Sequence, residues 1–317
     1  MTLDIVHSTS IQELPDAPLA ALSEHREMVE AKLHEAGALL LRSVVSNAES
    51  LAEVSQALGY KKAVLSEESS PRSQVAKDVF TSTDYPAKYP IQLHCEYSYS
   101  AAWPMRLLFG CLRAPDLGGQ TPVADMRRLL REMDPSVLEV FRNKNVLYRR
   151  NYQPDIGVDW RKAFGTDDRA QVDAYCTRHG IKTIWLGDDH LRTEQVGPAI
   201  RRHPVTGDEV WFNHAFFFNV RALEPESIRD FMLAEDEETL STNTYYGDGT
   251  PIEAETIDHL RAVLNTCTLA SDWRQGDLLL VDNMLMAHGR RPFSGERKVL
   301  VYMANTATGE DTGAVQS

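Results

Sequence analysis

His94 and Glu96 stand two positions apart in the run YPIQLHCEYSYSAAWP. Along an extended chain the side chains alternate between faces, so residues two apart point the same way. An imidazole and a carboxylate so placed make a two-toothed grip for a metal ion, and Cys95 between them faces away. A third donor comes from far downstream, where DLLLVDNMLMAHGRRPFSGERKVLVYMA offers His288 among residues that read as strands. Two histidines and one carboxylate on one face of a metal, with the opposite face open, is the ligand pattern of non-haem Fe(II) oxygenases. The expectation is a catalytic metal centre held by His94, Glu96 and His288.

Three protein donors leave room on an iron ion for a co-substrate and oxygen. A 2-oxo acid fits that space, and its distal carboxylate then needs an anchor. A bidentate guanidinium is the strongest anchor available. Arg297, nine residues beyond His288 and past the turn PFSG, is suitably placed on the following strand. Arg290 and Arg291 fall in the turn itself, where substrate contact or solvent is expected. Two other readings use the same residues. Zinc takes a His2Glu set as well, which would make a hydrolase, although the chain has no HExxH helix. A cupin-like binding protein without catalysis is the third.

The motifs in order resemble the taurine dioxygenase (TauD/TfdA-like) family of Fe(II)/2-oxoglutarate oxygenases, in the clavaminate-synthase-like group. That family carries an HxD or HxE pair on one strand, then a GGxTxxAD segment, then a distal His followed by an Arg. Here these are His94 and Glu96, GGQTPVAD from Gly118 to Asp125, and His288 followed by Arg297. The likeness runs from GALLLRSV to GERKVLVYM. It implies that Thr121 and Arg297 hold the tail of 2-oxoglutarate. It also implies Fe(II), 2-oxoglutarate and O2 as cofactor and co-substrates, with succinate and CO2 released. Where taurine dioxygenase has a second Arg for the sulfonate, this chain has Val301, which argues against a sulfonate substrate. Glu96 in place of the commoner Asp resembles the amino-acid hydroxylases of the group. Related halogenases lack the carboxylate ligand, so Glu96 argues against halogenation.

The stretches VFTSTDYP, VWFNHAFFFN and DNMLMAHGRRPFSGERK resemble the subfamily found beside peptide synthetases. The implied reaction is hydroxylation of an unactivated C–H bond in secondary metabolism. The substrate is a small amino-acid-like molecule, either free or attached to a carrier protein. Desaturation, epoxidation and cyclisation share the same cofactor chemistry. Arg72, Asn213, His214 and Arg290 are the substrate-binding candidates. Arg149 and Arg150 are further partners for a substrate carboxylate, and Asp84 and Asp125 for an amine. Trp211, Phe212, Phe216, Phe217 and Phe218 read as core.

Strands from both ends of the chain must converge to bring these donors together. The sequence has 317 residues, 43% of them hydrophobic, enough for a substantial core. Apolar positions at three- and four-residue spacing predict a helix over 16–36, ended by Gly37, and the pattern ALLLRSV predicts a buried strand after it. A second helix follows, with Asn47 or Ser50 as its cap. The polar segment 61–89 reads as a lid-like loop. Short strands then alternate with helices around DMRRLLREM, PSVLEVFRNK, EPESIRDFMLAEDEETL and EAETIDHLRAVLNTCTL, with a partly helical insertion over 154–180. GDEVWFNHAFFFNV reads as a strand, and the tail 307–317 as frayed.

The expected architecture is mainly β with flanking helices. It is a double-stranded β-helix, jelly-roll or cupin-like, forming a single domain over 1–317. A net charge of -13 argues against nucleic acid and anionic membrane surfaces as partners. Four irregularly spaced cysteines suit a reduced compartment. The N-terminus lacks the pattern of a signal peptide, and no apolar run approaches the ~20 residues of a membrane span, so a cytoplasmic protein is expected. Nothing in the sequence fixes an oligomeric state.

Overall fold

The structure, a computed structural model, describes residues 12–14, 19–67, 73–82, 85–154 and 157–311. Arg72, Asp84 and the end of the tail lie outside the described residues. With strands numbered along the chain, a seven-stranded sheet runs in spatial order through β1 (Gln12–Leu14), β2 (Ala38–Leu41), β16 (Leu278–Asp282), β6 (Ala102–Arg113), β19 (Lys298–Thr308), β4 (Val79–Thr81) and β3 (Gln74–Ala76). A four-stranded sheet runs through β15 (Thr268–Leu269), β8 (Val123–Asp125), β17 (Met286–Arg290) and β5 (Ile91–His94). A second four-stranded sheet is β10 (Lys182–Trp185), β11 (Leu191–Gly197), β9 (Val146–Tyr152) and β14 (Thr242–Tyr246). Two pairs complete the set: β12 (Ile200–Arg202) with β13 (Glu209–Trp211), and β7 (Leu117–Gly118) with β18 (Phe293–Ser294).

The long strand β6 shows why the sheets layer as they do. Trp103, Met105, Leu107, Phe109 and Cys111 alternate onto one face, in a core shared with Val123 and Ala124 of β8 and Met286 and Ala287 of β17. Leu108 points to the other face, beside Leu39, Leu41, Leu278, Leu280 and Leu300. That second face is covered by α1 (Leu19–Glu24), α2 (Arg26–Ala36) and α3 (Glu49–Ala57) through Leu22, Val29, Leu33, Leu51 and Val54. The period-two alternation therefore splits one strand between two cores.

The remaining helices are α4 (Met126–Glu132), α5 (Pro135–Lys144), α6 (Trp160–Phe164), α7 (Arg169–Arg178), α8 (Glu226–Ala234) and α9 (Ala254–Cys267). Their starts follow capping chemistry. Asp125, Asp134, Asp159 and Asp168 each accept backbone N–H bonds at the first turn of α4, α5, α6 and α7, and Pro135 opens α5. Asn47 Oδ1 accepts from Ser50 N–H ahead of α3. Gly37 closes α2 in the left-handed region at φ 79°, as the sequence suggests.

Several sequence expectations need correction. The helix over 16–36 divides at His25 into α1 and α2. The 61–89 segment is not wholly loop, because β3 and β4 form a hairpin on the edge of the seven-stranded sheet. The strand at GDEVWFNHAFFFNV stops at Trp211, and the next residues turn. The tail keeps strand pairing as far as Thr308, opposite Ala102. β14 (TNTYY), absent from the sequence expectation, is made of β-favouring Thr and Tyr and ends at the turn GDG. All four cysteines are buried and unbridged. Among the described residues no helix is long and apolar enough to cross a membrane.

Candidate metal centre

The antiparallel register of β5 and β17 sets His94 directly opposite His288, across 194 residues of sequence. Directly opposed residues hold their side chains close on one face. The two rings lie 4.4 Å apart between centroids. Glu96 arrives differently from the expectation. β5 ends at His94, and Glu96 sits in the turn that follows, not on the strand. Its Oε2 is 3.6 Å from His94 Nε2 and 3.7 Å from His288 Nε2. The three donor atoms all lie within 4.8 Å of one another. Cys95 turns into the core, where burial first and Asp282 second push its thiol pKa up, so it stays protonated.

Because Glu96 is off the strand, something other than sheet pairing must hold it. Asn283, in the turn between β16 and β17, does so. Its Oδ1 accepts from Glu96 N–H at 2.7 Å, and its Nδ2 donates to the carbonyls of Glu96 and Pro104, each at 2.8 Å. Asn283 is wholly buried, so these bonds are not exchanged with water. The sequence reading passed over Asn283. The signal available was only its place five residues before His288 in a turn.

The donor chemistry fits a ferrous ion. His94 Nδ1–H donates to the Gln92 carbonyl at 2.9 Å, which fixes the tautomer that leaves the Nε2 lone pair facing Glu96. Aromatic walls flank the donors: Phe217 stacks on His94 at 4.3 Å, and Phe109 lies 5.0 Å from His288.

Beside the donors, a small cavity of about 30 Å³ is lined by Thr121, Arg297, Ser82 and Val301. Arg297 Nη2 donates to Thr121 Oγ1 at 3.3 Å, Nη1 to Ser82 Oγ at 3.1 Å, and Nε to the Gly119 carbonyl at 2.8 Å. The Gly118–Gly119 turn makes that carbonyl available. Both glycines have positive φ, and a Cβ on Gly118 would stand 2.2 Å from the Pro292 carbonyl oxygen. Burial first, and then the neighbouring Arg290, lower the Arg297 pKa to about 10. Among the described residues no carboxylate lies within ion-pair reach of Arg297. A buried guanidinium without a counter-charge is costly, and the distal carboxylate of 2-oxoglutarate would supply one.

The other candidates divide. Arg290 is the last residue of β17, and its guanidinium donates to the carbonyls of Tyr85, Pro86 and Tyr89 at 2.7–3.0 Å. It fastens the 85–89 segment beside the centre instead of standing open in a turn. Asn213 is occupied at both ends, donating to the Ala199 carbonyl and accepting from Ala215 N–H, so it shapes a turn. His214 lies behind His94, its Nδ1 2.6 Å from Ser98 Oγ. Burial, and then His94, hold its pKa well below the usual range, so it is neutral. Asp125 caps α4. Trp211, Phe212 and Phe216 are core, as expected. Phe218 is core as well, and together with Arg150 and the half-buried Phe217 it lines a cleft of about 290 Å³ next to the donors.

Comparisons with known proteins point the same way as the geometry. The family model for taurine catabolism dioxygenase TauD, TfdA family matches residues 10–303. The chain is 36% identical over 289 residues to the dapdiamide synthesis protein DdaC of Enterobacter agglomerans, covering 91% of this chain and 88% of that one. It is 27% identical to a clavaminate synthase-like protein of Arabidopsis thaliana, covering 89% and 86%. Among solved structures it is similar to PvcB, an Fe, alpha-ketoglutarate-dependent oxygenase from an isonitrile synthetic pathway. There the TM-score is 0.55 at 17% identity, with 96% and 90% coverage. The structure of AAD-2 with Mn(II) and N-oxalylglycine gives a TM-score of 0.59 at 12% identity, covering 97% and 99%.

Proposed function

This chain belongs to the TauD/TfdA family of Fe(II)- and 2-oxoglutarate-dependent oxygenases, and from that premise we propose that it hydroxylates an unactivated C–H bond of an amino-acid-like substrate in secondary metabolism. The observation that carries this reading is the β5–β17 register, which sets His94 against His288 with Glu96 Oε2 at 3.6 and 3.7 Å. His94, Glu96 and His288 are assigned as the metal ligands, and Arg297 with Thr121 as the anchor of the 2-oxoglutarate tail. The seven-stranded sheet and the β15–β8–β17–β5 sheet are read as the two halves of a double-stranded β-helix within a single domain.

When bound, iron with 2-oxoglutarate and O2 supplies the oxidising power, and succinate and CO2 leave as co-products. The residues of the chain place and shield. The Gln92 carbonyl holds the proton of His94 on Nδ1. Asn283 keeps the Glu96 backbone in register with the strands. Arg297 fixes the co-substrate by charge and Thr121 by its hydroxyl. Phe109 and Phe217 keep water from the donors. The names of the relatives, one from dapdiamide synthesis and one from an isonitrile pathway, support a small substrate in secondary metabolism, free or carrier-bound. The zinc-hydrolase and non-catalytic readings fall with family membership.

The test is a panel of amino acids, free and loaded on a carrier protein, incubated with Fe(II), 2-oxoglutarate and air. Mass and succinate are followed together. A gain of one oxygen matched by succinate is expected. Loss of two hydrogens would reassign the outcome to desaturation or cyclisation. Succinate that no added substrate stimulates would count against an amino-acid-like substrate.

A further inference from the structure

A second cavity, of about 190 Å³, adjoins the cleft, since Pro90, Ile91, Gln92 and Glu224 line both. β5 and the end of β17 form one side of it, and the second half of α9 another. Its charged lining residues are three arginines, Arg261, Arg290 and Arg291, and one carboxylate, Glu224. Arg261 and Glu224 pair at 3.1 Å and cancel. Arg290 and Arg291 remain as consecutive cations in a chain whose net charge is -13. Among the described residues neither has a carboxylate within ion-pair reach, and an anion between like charges so close would relieve their repulsion.

Two donors in the same lining lack an acceptor. Arg290 is 6% exposed, its Nη atoms donate to the carbonyls of Tyr85, Pro86 and Tyr89, and its Nε is buried without a partner. The amide nitrogen of Gln92 is buried without a partner as well. Burying an N–H unpaired costs free energy that a bound oxygen acceptor restores. Arg291 is exposed, so its guanidinium is at the rim.

Resting on the oxygenase reading above, we infer that this cavity binds a phosphate group at the edge of the substrate cleft. The cavity beside Arg297 measures about 30 Å³ and offers one guanidinium, which suits the planar carboxylate of the co-substrate. The second cavity is roomier and has two uncompensated guanidinium groups. Its donors come from two strands, an arrangement that suits a tetrahedral anion with oxygens in several directions. Gln92 stands two residues before His94 on β5, and its carbonyl holds the proton of His94. A phosphate here therefore lies beside the donors without touching the metal, and whatever chain it carries can run into the cleft past Gln92. Two sources share this chemistry: a phosphate on the substrate or on the arm that carries it, and inorganic phosphate as a separate ligand.

The experiment uses the Fe(II) enzyme loaded with 2-oxoglutarate without oxygen, so that Arg297 is already occupied. Inorganic phosphate, pantetheine 4′-phosphate, pantetheine and acetate are titrated by calorimetry into wild type, Arg291→Gln, Gln92→Leu and, as a distant control, Arg113→Gln. The visible band of the iron–2-oxoglutarate complex is followed in parallel, and its failure to form in wild type would sink the oxygenase reading by itself. With the band present, both phosphates should bind wild type and Arg113→Gln alike. They should bind Arg291→Gln at least about tenfold more weakly and Gln92→Leu severalfold more weakly, with the band retained in each. Position 291 is exposed, so that variant supplies the comparison if Gln92→Leu does not fold. Tighter binding of pantetheine 4′-phosphate than of either pantetheine or phosphate would assign the site to a carried substrate; tighter binding of inorganic phosphate would assign it to the free anion. No binding of either phosphate to wild type, unchanged binding in Arg291→Gln, or acetate binding as tightly as phosphate would each overturn the inference.

Discussion

Among the described residues two clusters have the same donor types, two histidines and one carboxylate, with donor atoms within 4.8 Å of one another. One is His94, Glu96 and His288; the other is His34, His203 and Asp282. In the second a guanidinium already stands among the three. Arg106 donates to Asp282 at 2.6 Å, to Glu30 at 2.7 Å and to His34 Nε2 at 2.8 Å. His203 accepts backbone N–H bonds at Nδ1, so its Nε2 carries the proton and donates to Asp282. Its lone pairs are committed to the protein. In the first cluster His94 gives its proton away to a carbonyl and turns its Nε2 lone pair inward, toward Glu96. Donor identity and spacing do not separate a metal centre from a buried ion-pair network. The direction of each lone pair does. The clusters are also joined, since Asp282 precedes Asn283, whose side chain holds Glu96.

The comparison can be broken or sharpened by substitution. The largest expected effect is Glu96→Ala, which should weaken Mn(II) or Fe(II) binding by more than about a hundredfold in calorimetry while leaving the urea midpoint nearly unchanged. Retained affinity would remove Glu96 from the ligand set. Asp282→Ala should do the reverse. It removes the buried carboxylate shared by Arg106 and His203, leaving Arg106 with Glu30 alone, and should cost about 3–5 kcal/mol in urea unfolding. A stability loss under about 1 kcal/mol would show that the second cluster is not a structural ion-pair network. Arg297→Ala should raise the 2-oxoglutarate requirement roughly tenfold to a hundredfold, with little change for the prime substrate. Asn283→Ala should lower metal affinity by about 10–100-fold without touching a ligand atom. An unchanged metal affinity in that variant would mean that the turn holds Glu96 without it.

The smallest effect is in pH. Burial first and then Arg106 lower the His34 pKa from its usual 6.5, so the folded state binds fewer protons than the unfolded one there. The contribution of His34 to stability is complete above 6.5 and is lost as the pH falls below it. Asp282 adds to this at lower pH, because its pKa is held beneath the usual 3.8, although burial opposes the fall, by Arg106 and His203. The urea midpoint should be flat above about pH 6.5 and decline below it. His34→Gln should flatten the decline between about pH 6.5 and 5, and an unaltered slope would place its origin elsewhere.

The convergence of His94, Glu96 and His288, and the meeting of Arg297 with Thr121, were legible because their motifs lie in short segments whose spacing the chemistry constrains. His94 and Glu96 share one run, as do His288 and Arg297, and register then brings the runs together. The cleft wall was less legible. Phe217 reads as core by composition, and only the turn after Trp211 directs it toward His94. Arg150 was one of several arginines, and nothing local separates it from Arg149. The alternation of β9 does, sending Arg149 to Glu194 and Arg150 into the cleft. Asn213 and His214 looked like site residues because polar side chains between aromatics stand out. Their partners proved to be backbone and Ser98. Asn283 was invisible because its task depends on a contact 187 residues away.

The most direct measurement is an anaerobic titration of the purified protein with Fe(II) and 2-oxoglutarate, followed by visible absorption. Wild type and a His203→Gln variant should both develop the weak charge-transfer band at one iron and one 2-oxoglutarate per chain, and Glu96→Ala should develop none. A full band in Glu96→Ala, or its loss in a folded His203→Gln protein, would place the iron in the wrong cluster and contradict the account.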